Sequence, residues 1–465
     1  VGDAEPRALH RRPGVEALEQ AMRHEDAAMR EAGLRAGATL AWWIQLLAVL
    51  ALSAGLGCSR PDPRPHVVLV VIDQLRQDFS NHFLQGVNEL ARRGVVFQQM
   101  RSAAPWTYPS VVSLLSGLYP QQHGAEGHER DPTFARFDPA VPLVQKQLAA
   151  AGYATAAFVT NPYLLDWNAF HLGFARFDGH FVSAKQRPGG GIDNVWDPTS
   201  MFADSVNAAV MRHFAGGTPT GPEFTYVHYI DVHGPWDGAP FPPTYKDAIR
   251  FVDAHVVELY RFFRERYEGN LLFFVTSDHG RAFGDDETIG DGPPWRLDKH
   301  SVHDFNLRVP FLILPSDRVP RARRIAGAAS LVDFVPTLLD WLGEEQAAYR
   351  PGRSLLAAIR DGTPLAPGRA TYARQWSFGA FNDALVMNGH KYVRYFRDPA
   401  GPPVMRRIFD LAADPRETRS LGDRFGLVVL KLHEAAGRGA IAFEPTFAPV
   451  PEDVEAPLRA LGYLK

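Results

Sequence analysis

The sequence predicts an α/β fold: a three-layer sandwich with a mostly parallel central sheet, plus a small antiparallel C-terminal subdomain. Three observations carry this. The run VVLVVID (67–73) is continuously apolar and β-branched, the pattern of a strand buried on both faces in a parallel sheet. Further runs of that kind alternate with segments of helical periodicity, which calls for helices layered on a sheet. From about residue 368 the pattern shortens into strand-like pieces such as ALVMNG and KYVRYF.

Taken in order, the first strand is followed by a helical segment NELARRG (88–94) and by VVF. Thr107, Tyr108, Pro109 and Ser110 then launch the apolar run VVSLLSGL, which reads as a buried helix with Pro in its first turn. Next come a helix at 141–152, a strand at 153–160 (YATAAFVT), a helix at 202–214 and a strand at 223–230 (EFTYVHYI). A long helix at 247–267, strands NLLFFVTS (270–277) and VPFLILP (309–315), and a helix at 330–343 complete the core. The stretch 178–200 bears Gly and Pro and reads as a surface excursion, a candidate substrate loop.

Bulk properties narrow the function. The chain has 465 residues, 46% hydrophobic and 22% charged, so it is globular and large enough for a core plus a smaller unit. Net charge is −3 with no basic tract, which points away from nucleic acid. A single Cys excludes an intramolecular disulfide and a Cys-based zinc site. That residue, Cys58, ends the apolar run ATLAWWIQLLAVLALSAGLG (38–57), with Arg30 and Arg35 upstream. Counted from Met29, the segment resembles a bacterial lipoprotein signal peptide whose Cys becomes the lipidated N-terminus, although Gly55 stands where Leu is usual. The alternative is an uncleaved membrane anchor of about 20 residues. Either places the bulk of the chain outside the cytoplasm, periplasmic or at the surface of a bacterial cell. The expected organisation is a non-native or disordered extension (1–28), signal or anchor (29–58), linker (59–65), catalytic domain (66–367), and C-terminal subdomain with tail (368–465).

Ligands of open α/β sheets gather beyond the carboxyl ends of the strands. Three predicted strands end in metal-capable side chains: Asp73, Asp231 with His233, and Asp278 with His279. One such Asp is an ordinary turn residue. Three together, two accompanied by His, suit a zinc or manganese centre with oxygen and nitrogen ligands. Thr107 alone reads as a helix cap. Beside a divalent ion its hydroxyl would be acidified, as bound water is, giving an activated nucleophile at a helix N-terminus that favours anions.

With these residues in place, the chain resembles the sulfatase family of the alkaline phosphatase superfamily over nearly all of 66–425. The resemblance is carried in order by HVVLVVIDQLRQDF, NELARRGVVFQQMRSAAPWTYPSVVSLLSGLYPQQHG, HYIDVHGPW, FVTSDHG, LRVPFLIL, LVDFVPTLLDWLG, GRSLL and IFDLAADPRETRSL. It implies an alkaline-phosphatase-like fold, with Asp73, Asp278 and His279 holding the metal and Thr107 completing it. His233 would bind the transferred group, protonate the leaving oxygen or join a second metal. Asp231 and His300 are candidates for that second site. Lys299 and His300 stand where the family carries a charge-neutralising Lys or His. Asn161 is a candidate oxyanion contact, Gln74 a hydrogen-bond donor, and His228 and His303 read as packing or surface residues.

Departures from the family are informative. Thr107 replaces the Cys or Ser that sulfatases convert to formylglycine, and Val111 replaces an Arg. Gln74 replaces a carboxylate, and His279 replaces an Asn. His favours zinc or manganese over calcium, with one or two ions. A Thr nucleophile with an Asp-His pair resembles the phosphodiesterase and phosphoethanolamine-transferase branches. The expected activity is hydrolysis of a phosphate diester, phosphonate or sulfate ester through a covalent Thr107 intermediate. The substrate is expected to be a small molecule or a glycan or lipid ester. Alternatives are a sulfatase acting without formylglycine, a phosphoethanolamine-type transferase, and a non-catalytic lipoprotein binding module.

Overall fold

The computed structural model describes residues 64–126, 133–179, 182–186, 192–196, 202–216, 220–234, 242–283, 301–346, 349–377, 379–398 and 400–438, with short pieces to 459. Cys58, Lys299, His300 and the apolar run 38–57 lie outside the described residues. Among the described residues, no helix is long and apolar enough to cross a membrane.

The central sheet has eight strands: β1 (His66–Ile72), β2 (Val95–Phe97), β3 (Ala154–Val159), β4 (Arg176–Gly179), β5 (Glu223–Tyr229), β6 (Leu271–Thr276), β7 (Phe311–Leu314) and β8 (Arg323–Ile325). Their order is β8-β2-β7-β6-β1-β5-β3-β4. All neighbours are parallel except β7, which runs antiparallel to both β6 and β2. The apolar run predicted at 309–315 is thus a strand, of opposite direction. A continuous apolar run reports burial on both faces and carries no information on direction.

Helices α1 (Gln77–Phe83), α2 (Gln85–Ala91), α3 (Thr107–Ser116), α4 (Val144–Ala150), α5 (Ala203–Phe214), α6 (Tyr245–Arg266) and α7 (Phe334–Leu342) cover the two faces. Because successive strand side chains point to opposite faces, β1 divides its residues between two cores. Val67, Leu69 and Val71 pack with Val111, Val112 and Leu115 of α3 and Leu338 and Leu339 of α7. Val68, Val70 and Ile72 pack with Val206 and Val210 of α5 and Val252, Val256 and Leu259 of α6. Along α6 the buried residues Ile249, Val252, Val256, Leu259 and Phe263 recur at the spacing of one helical stripe, and Thr244 caps the start by accepting the Asp247 N–H at 3.2 Å.

A second sheet, β9 (Thr371–Ser377), β10 (Ala380–Met387), β11 (His390–Phe396) and β12 (Met405–Asp410), is a four-stranded antiparallel meander. It is tied to the segment Ser301–Arg308 by an apolar cluster, in which Val302 and Leu307 pack with Ala373, Ala384 and Val393, and by a buried ionic network. Lys391 on β11 contacts Asp304 Oδ1 at 2.6 Å and Glu417 Oε1 at 2.7 Å, and donates to the Val302 carbonyl at 3.0 Å. Asp304 also receives Arg101 through a two-pronged bond of 2.9 and 2.7 Å. His303, read from sequence as packing or surface, is buried in this network with Nδ1 2.6 Å from Glu417 Oε2. Removing one partner of a buried ionic network strands the other charge. Lys391→Met should therefore destabilise the fold by about 3–5 kcal/mol, measured by urea unfolding. A loss under about 1 kcal/mol would mean the network is not structural.

Candidate functional site

Parallel register brings the candidate residues together. Ile72 is level with Tyr229 on one side of β1, and Val71 is level with Thr276 on the other. The residues just past β1, β5 and β6 therefore emerge at one edge of the sheet. Asp73 leaves β1 with its backbone N–H still on the Tyr229 carbonyl at 2.9 Å. Gln74 follows in the left-handed region (φ 58°), which lets its N–H donate to Asp278 Oδ1 at 3.1 Å. Ser277 Oγ accepts the Leu75 N–H at 2.9 Å and donates to the His279 carbonyl at 2.7 Å, closing the two loops on each other. Gly280 has to be glycine: an added Cβ would lie 2.0 Å from the Phe305 carbonyl oxygen.

Helix α3 approaches the same edge. Ser110 Oγ donates to the Asp278 carbonyl at 2.6 Å, bolting the first turn to the β6 loop. Trp106, not Thr107, occupies the N-cap position, so the expected capping role of Thr107 is corrected: it is the first helical residue. Its fully buried side chain instead reaches the carboxylate cluster, with Oγ1 3.4 Å from Asp73 Oδ2 and 3.4 Å from His279 Nε2. Trp106 packs edge-on against Tyr163 with ring centroids 5.4 Å apart, walling the helix start with aromatic surface.

The ligand atoms of Asp73, Asp278 and His279 lie within 4.8 Å of one another, and all three residues are buried. His279 Nδ1 is 2.7 Å from the Gly280 carbonyl, so Nδ1 carries the proton and Nε2 offers its lone pair to the cluster. Burial holds His279 below the ordinary imidazole range against the pull of Asp278. Burial, and then the neighbouring Asp278 charge, hold the Asp73 carboxyl well above the usual carboxylate range. Burial opposes ionisation of Asp278 as well, but His279, His228 and the Gln74 N–H outweigh it and keep this carboxyl ionised. Asp73 Oδ1 and Asp278 Oδ2 have no hydrogen-bond partner, although both are buried. Two orphaned carboxylate oxygens facing an imidazole lone pair fit a divalent cation, which would satisfy all three at once.

Asn161, just beyond β3, donates to Asp73 Oδ2 at 2.6 Å and to Thr107 Oγ1 at 3.4 Å, while its Oδ1 accepts the Tyr163 N–H at 2.9 Å. Gln74 Oε1 accepts from Arg281 at 2.9 Å. Arg281 carries no motif of its own and went unremarked in the sequence; its charge eases ionisation of Asp73. His228, read as packing or surface, lies fully buried beneath the site, with Nε2 3.9 Å from Asp73 Oδ2 and 3.8 Å from Asp278 Oδ2. The alternation of β5 was the available signal, since His228 shares the face of Tyr226 that looks toward α3.

Asp231 and His233 stand apart from the cluster formed by Asp73, Asp278 and His279. Asp231 Oδ1 accepts the Ala203 N–H at the start of α5 at 3.0 Å, and burial pushes its carboxyl up to about 7. His233 is buried on the turn after β5, with Nδ1 3.2 Å from the Gly234 carbonyl, and its own carbonyl accepts from Arg281. The buried pair Ser113 and His123 (2.9 Å) mimics a nucleophile with its base. His123 Nδ1 accepts the Ala125 N–H at 3.0 Å, so Nε2 carries the proton and the pair cannot work as nucleophile and base.

The Sulfatase family model matches residues 65–344. Among curated relatives, the multifunctional alkaline phosphatase superfamily protein PehA of Trinickia caryophylli is 28% identical over 195 residues, 38% of this chain and 35% of that protein. The chain thus spans about a third of that relative. N-acetylgalactosamine-6-sulfatase of Canis lupus familiaris is 24% identical over 367 residues, covering 68% of this chain and 70% of its own. Among solved structures, a protein bound to its substrate D-glucosamine-2-N,6-O-disulfate superposes with TM-score 0.60 at 15% identity, over 80% of this chain and 95% of that one. An alkaline phosphatase superfamily protein of Vibrio parahaemolyticus gives 0.57 at 16% identity, over 81% and 86%. At such identities the structural likeness speaks to fold alone, and it agrees with the parallel sheet flanked by helices and the separate antiparallel sheet. The family model covers well over half of the chain, and the protein belongs to the Sulfatase family.

Proposed function

We infer that the protein is a metal-dependent ester hydrolase whose covalent nucleophile is Thr107, with phosphate diesters or phosphonates as its favoured substrates. The observation that carries this is the position of Thr107 Oγ1 at the head of a buried helix, 3.4 Å from both Asp73 Oδ2 and His279 Nε2. Asp73, Asp278 and His279 would hold a divalent cation, zinc or manganese in preference to calcium because of the imidazole; such an ion acidifies an adjacent hydroxyl and offsets negative charge on the reacting group.

The side chains of the site supply the remainder. Asn161 orients Asp73 and Thr107 together through its amide. Thr107 Oγ1 gives its proton to solvent and attacks phosphorus, forming a Thr–O–P ester as the P–O bond to the leaving group breaks. The leaving oxygen takes a proton from His233 or from solvent. Water then cleaves the Thr ester and restores the hydroxyl, so one ester and one water give one alcohol and one acid. Arg281 contributes positive charge toward an anionic substrate. Lys299 and His300 are proposed as further charge-neutralising groups, and Asp231 with His233 as a second, weaker metal site. Sulfate esters are the second reading, supported by the relatives named sulfatases; for sulfatases these are small-molecule or glycan sulfates.

Turnover of aryl phosphodiester, aryl phosphonate and aryl sulfate by one zinc- or manganese-loaded preparation tests the assignment. Faster phosphodiester or phosphonate cleavage is expected, whereas sulfate preference by more than about tenfold would reverse the two readings. Metal analysis should find about one ion per chain. A metal-free, inactive protein would favour a non-catalytic binding module. The placement outside the cytoplasm, tethered by lipidated Cys58 or by the apolar run before it, is part of the same proposal. Mass spectrometry of the mature N-terminus tests it.

A further inference from the structure

Among the described residues, His228 is the one imidazole in contact with the carboxylate cluster to which the family resemblance assigns no role. It is fully buried in the middle of the sheet, and neither ring nitrogen has a hydrogen-bond partner. A buried imidazole with nothing to bond is costly unless a further group completes it. Its Nε2 lies 3.9 Å from Asp73 Oδ2 and 3.8 Å from Asp278 Oδ2. His279 Nε2 stands at the corresponding 3.7 Å from Asp73 Oδ1 and 3.7 Å from Asp278 Oδ2. Both histidines approach the same two carboxylates, His279 on Asp73 Oδ1 and His228 on Asp73 Oδ2, the oxygen that also accepts from Asn161 at 2.6 Å. Ligands at about 2.0–2.1 Å from a tetrahedral ion sit about 3.4 Å from one another, so both rings would have to close in on a bound ion.

We propose that His228 is a fourth protein ligand of the metal centre, through Nε2. This rests on the metal-centre reading above and deepens it. The set becomes two carboxylates and two imidazoles, with Thr107 as the exchangeable hydroxyl. Gln74 does not supply the missing ligand, because its side-chain oxygen is held by Arg281. A ligand pair of histidines also sharpens the preference for zinc, cobalt or manganese over calcium and magnesium.

The test uses the full chain, stripped with a chelator and reloaded with Co²⁺. X-ray absorption of cobalt-loaded wild type should require two imidazoles per metal, a measurement that needs no variant. His228→Gln should shift the visible cobalt bands and weaken Co²⁺ affinity at least about tenfold in chelator competition. One imidazole per cobalt, or weaker binding with unchanged bands, would overturn the assignment and make His228 a positioning residue. Wild type that takes up no cobalt would instead overturn the metal-centre reading itself, which keeps the two failures distinguishable.

Discussion

Thr107→Ala should abolish ester turnover, lowering kcat by at least about a thousandfold, while the metal content and the fold survive. The hydroxyl lies 3.4 Å from each of Asp73, His279 and Asn161. Its removal should cost about 1 kcal/mol of stability. The helix keeps its Trp106 N-cap and its Ser110 bolt to the Asp278 carbonyl. Thr107→Ser retains the hydroxyl but loses the methyl that restricts χ1, so activity should fall by about a factor of ten to a hundred and no further. Retention of most wild-type activity by Thr107→Ala, in a preparation free of contaminating phosphatase, would remove the covalent route. Trapping a Thr107-linked phosphoryl group by acid quench and peptide mass spectrometry is the positive counterpart.

The second large effect is expected at Asp278, and the choice of replacement matters. Oδ1 accepts the N–H groups of Gln74 and His279 at 3.1 and 2.8 Å, whereas Oδ2 is the orphan facing the cluster. Asp278→Ala would empty both roles and leave two buried N–H groups unpaired, at about 1–3 kcal/mol each. Asp278→Asn keeps the structural acceptor and replaces the orphan with an amide donor. Metal affinity should fall at least about a hundredfold and turnover should vanish, with a folded protein by circular dichroism. Metal binding at wild-type affinity in Asp278→Asn would show that the ion, if any, sits elsewhere.

The layered fold was legible because its signals are local. The apolar runs at 67–73, 223–230 and 270–277 and the stripe of α6 each follow from burial of adjacent residues. So were the strand-end carboxylates, because turn geometry and metal ligation both ask for Asp at those places. Direction was not legible for β7, since a doubly buried run reads the same either way. The position of Thr107 inside the helix was not legible for a related reason, since its neighbours in sequence fit a cap equally well. Nor was the nearness of His228 to the carboxylates, because its place inside an apolar strand reads as packing.

The sequence by itself determined which segments are strands and helices, the family they resemble, and the residue types able to hold a cation. Only the tertiary structure decided which of those groups meet. Thr107 stands 34 residues from Asp73 and 172 from His279 in the chain. Their approach to 3.4 Å depends on strand register, on a left-handed Gln74 and on one serine bolt, none of which leaves a periodic trace. Local composition reports how much each residue is buried. Distances between residues far apart in sequence are set by how the layers pack.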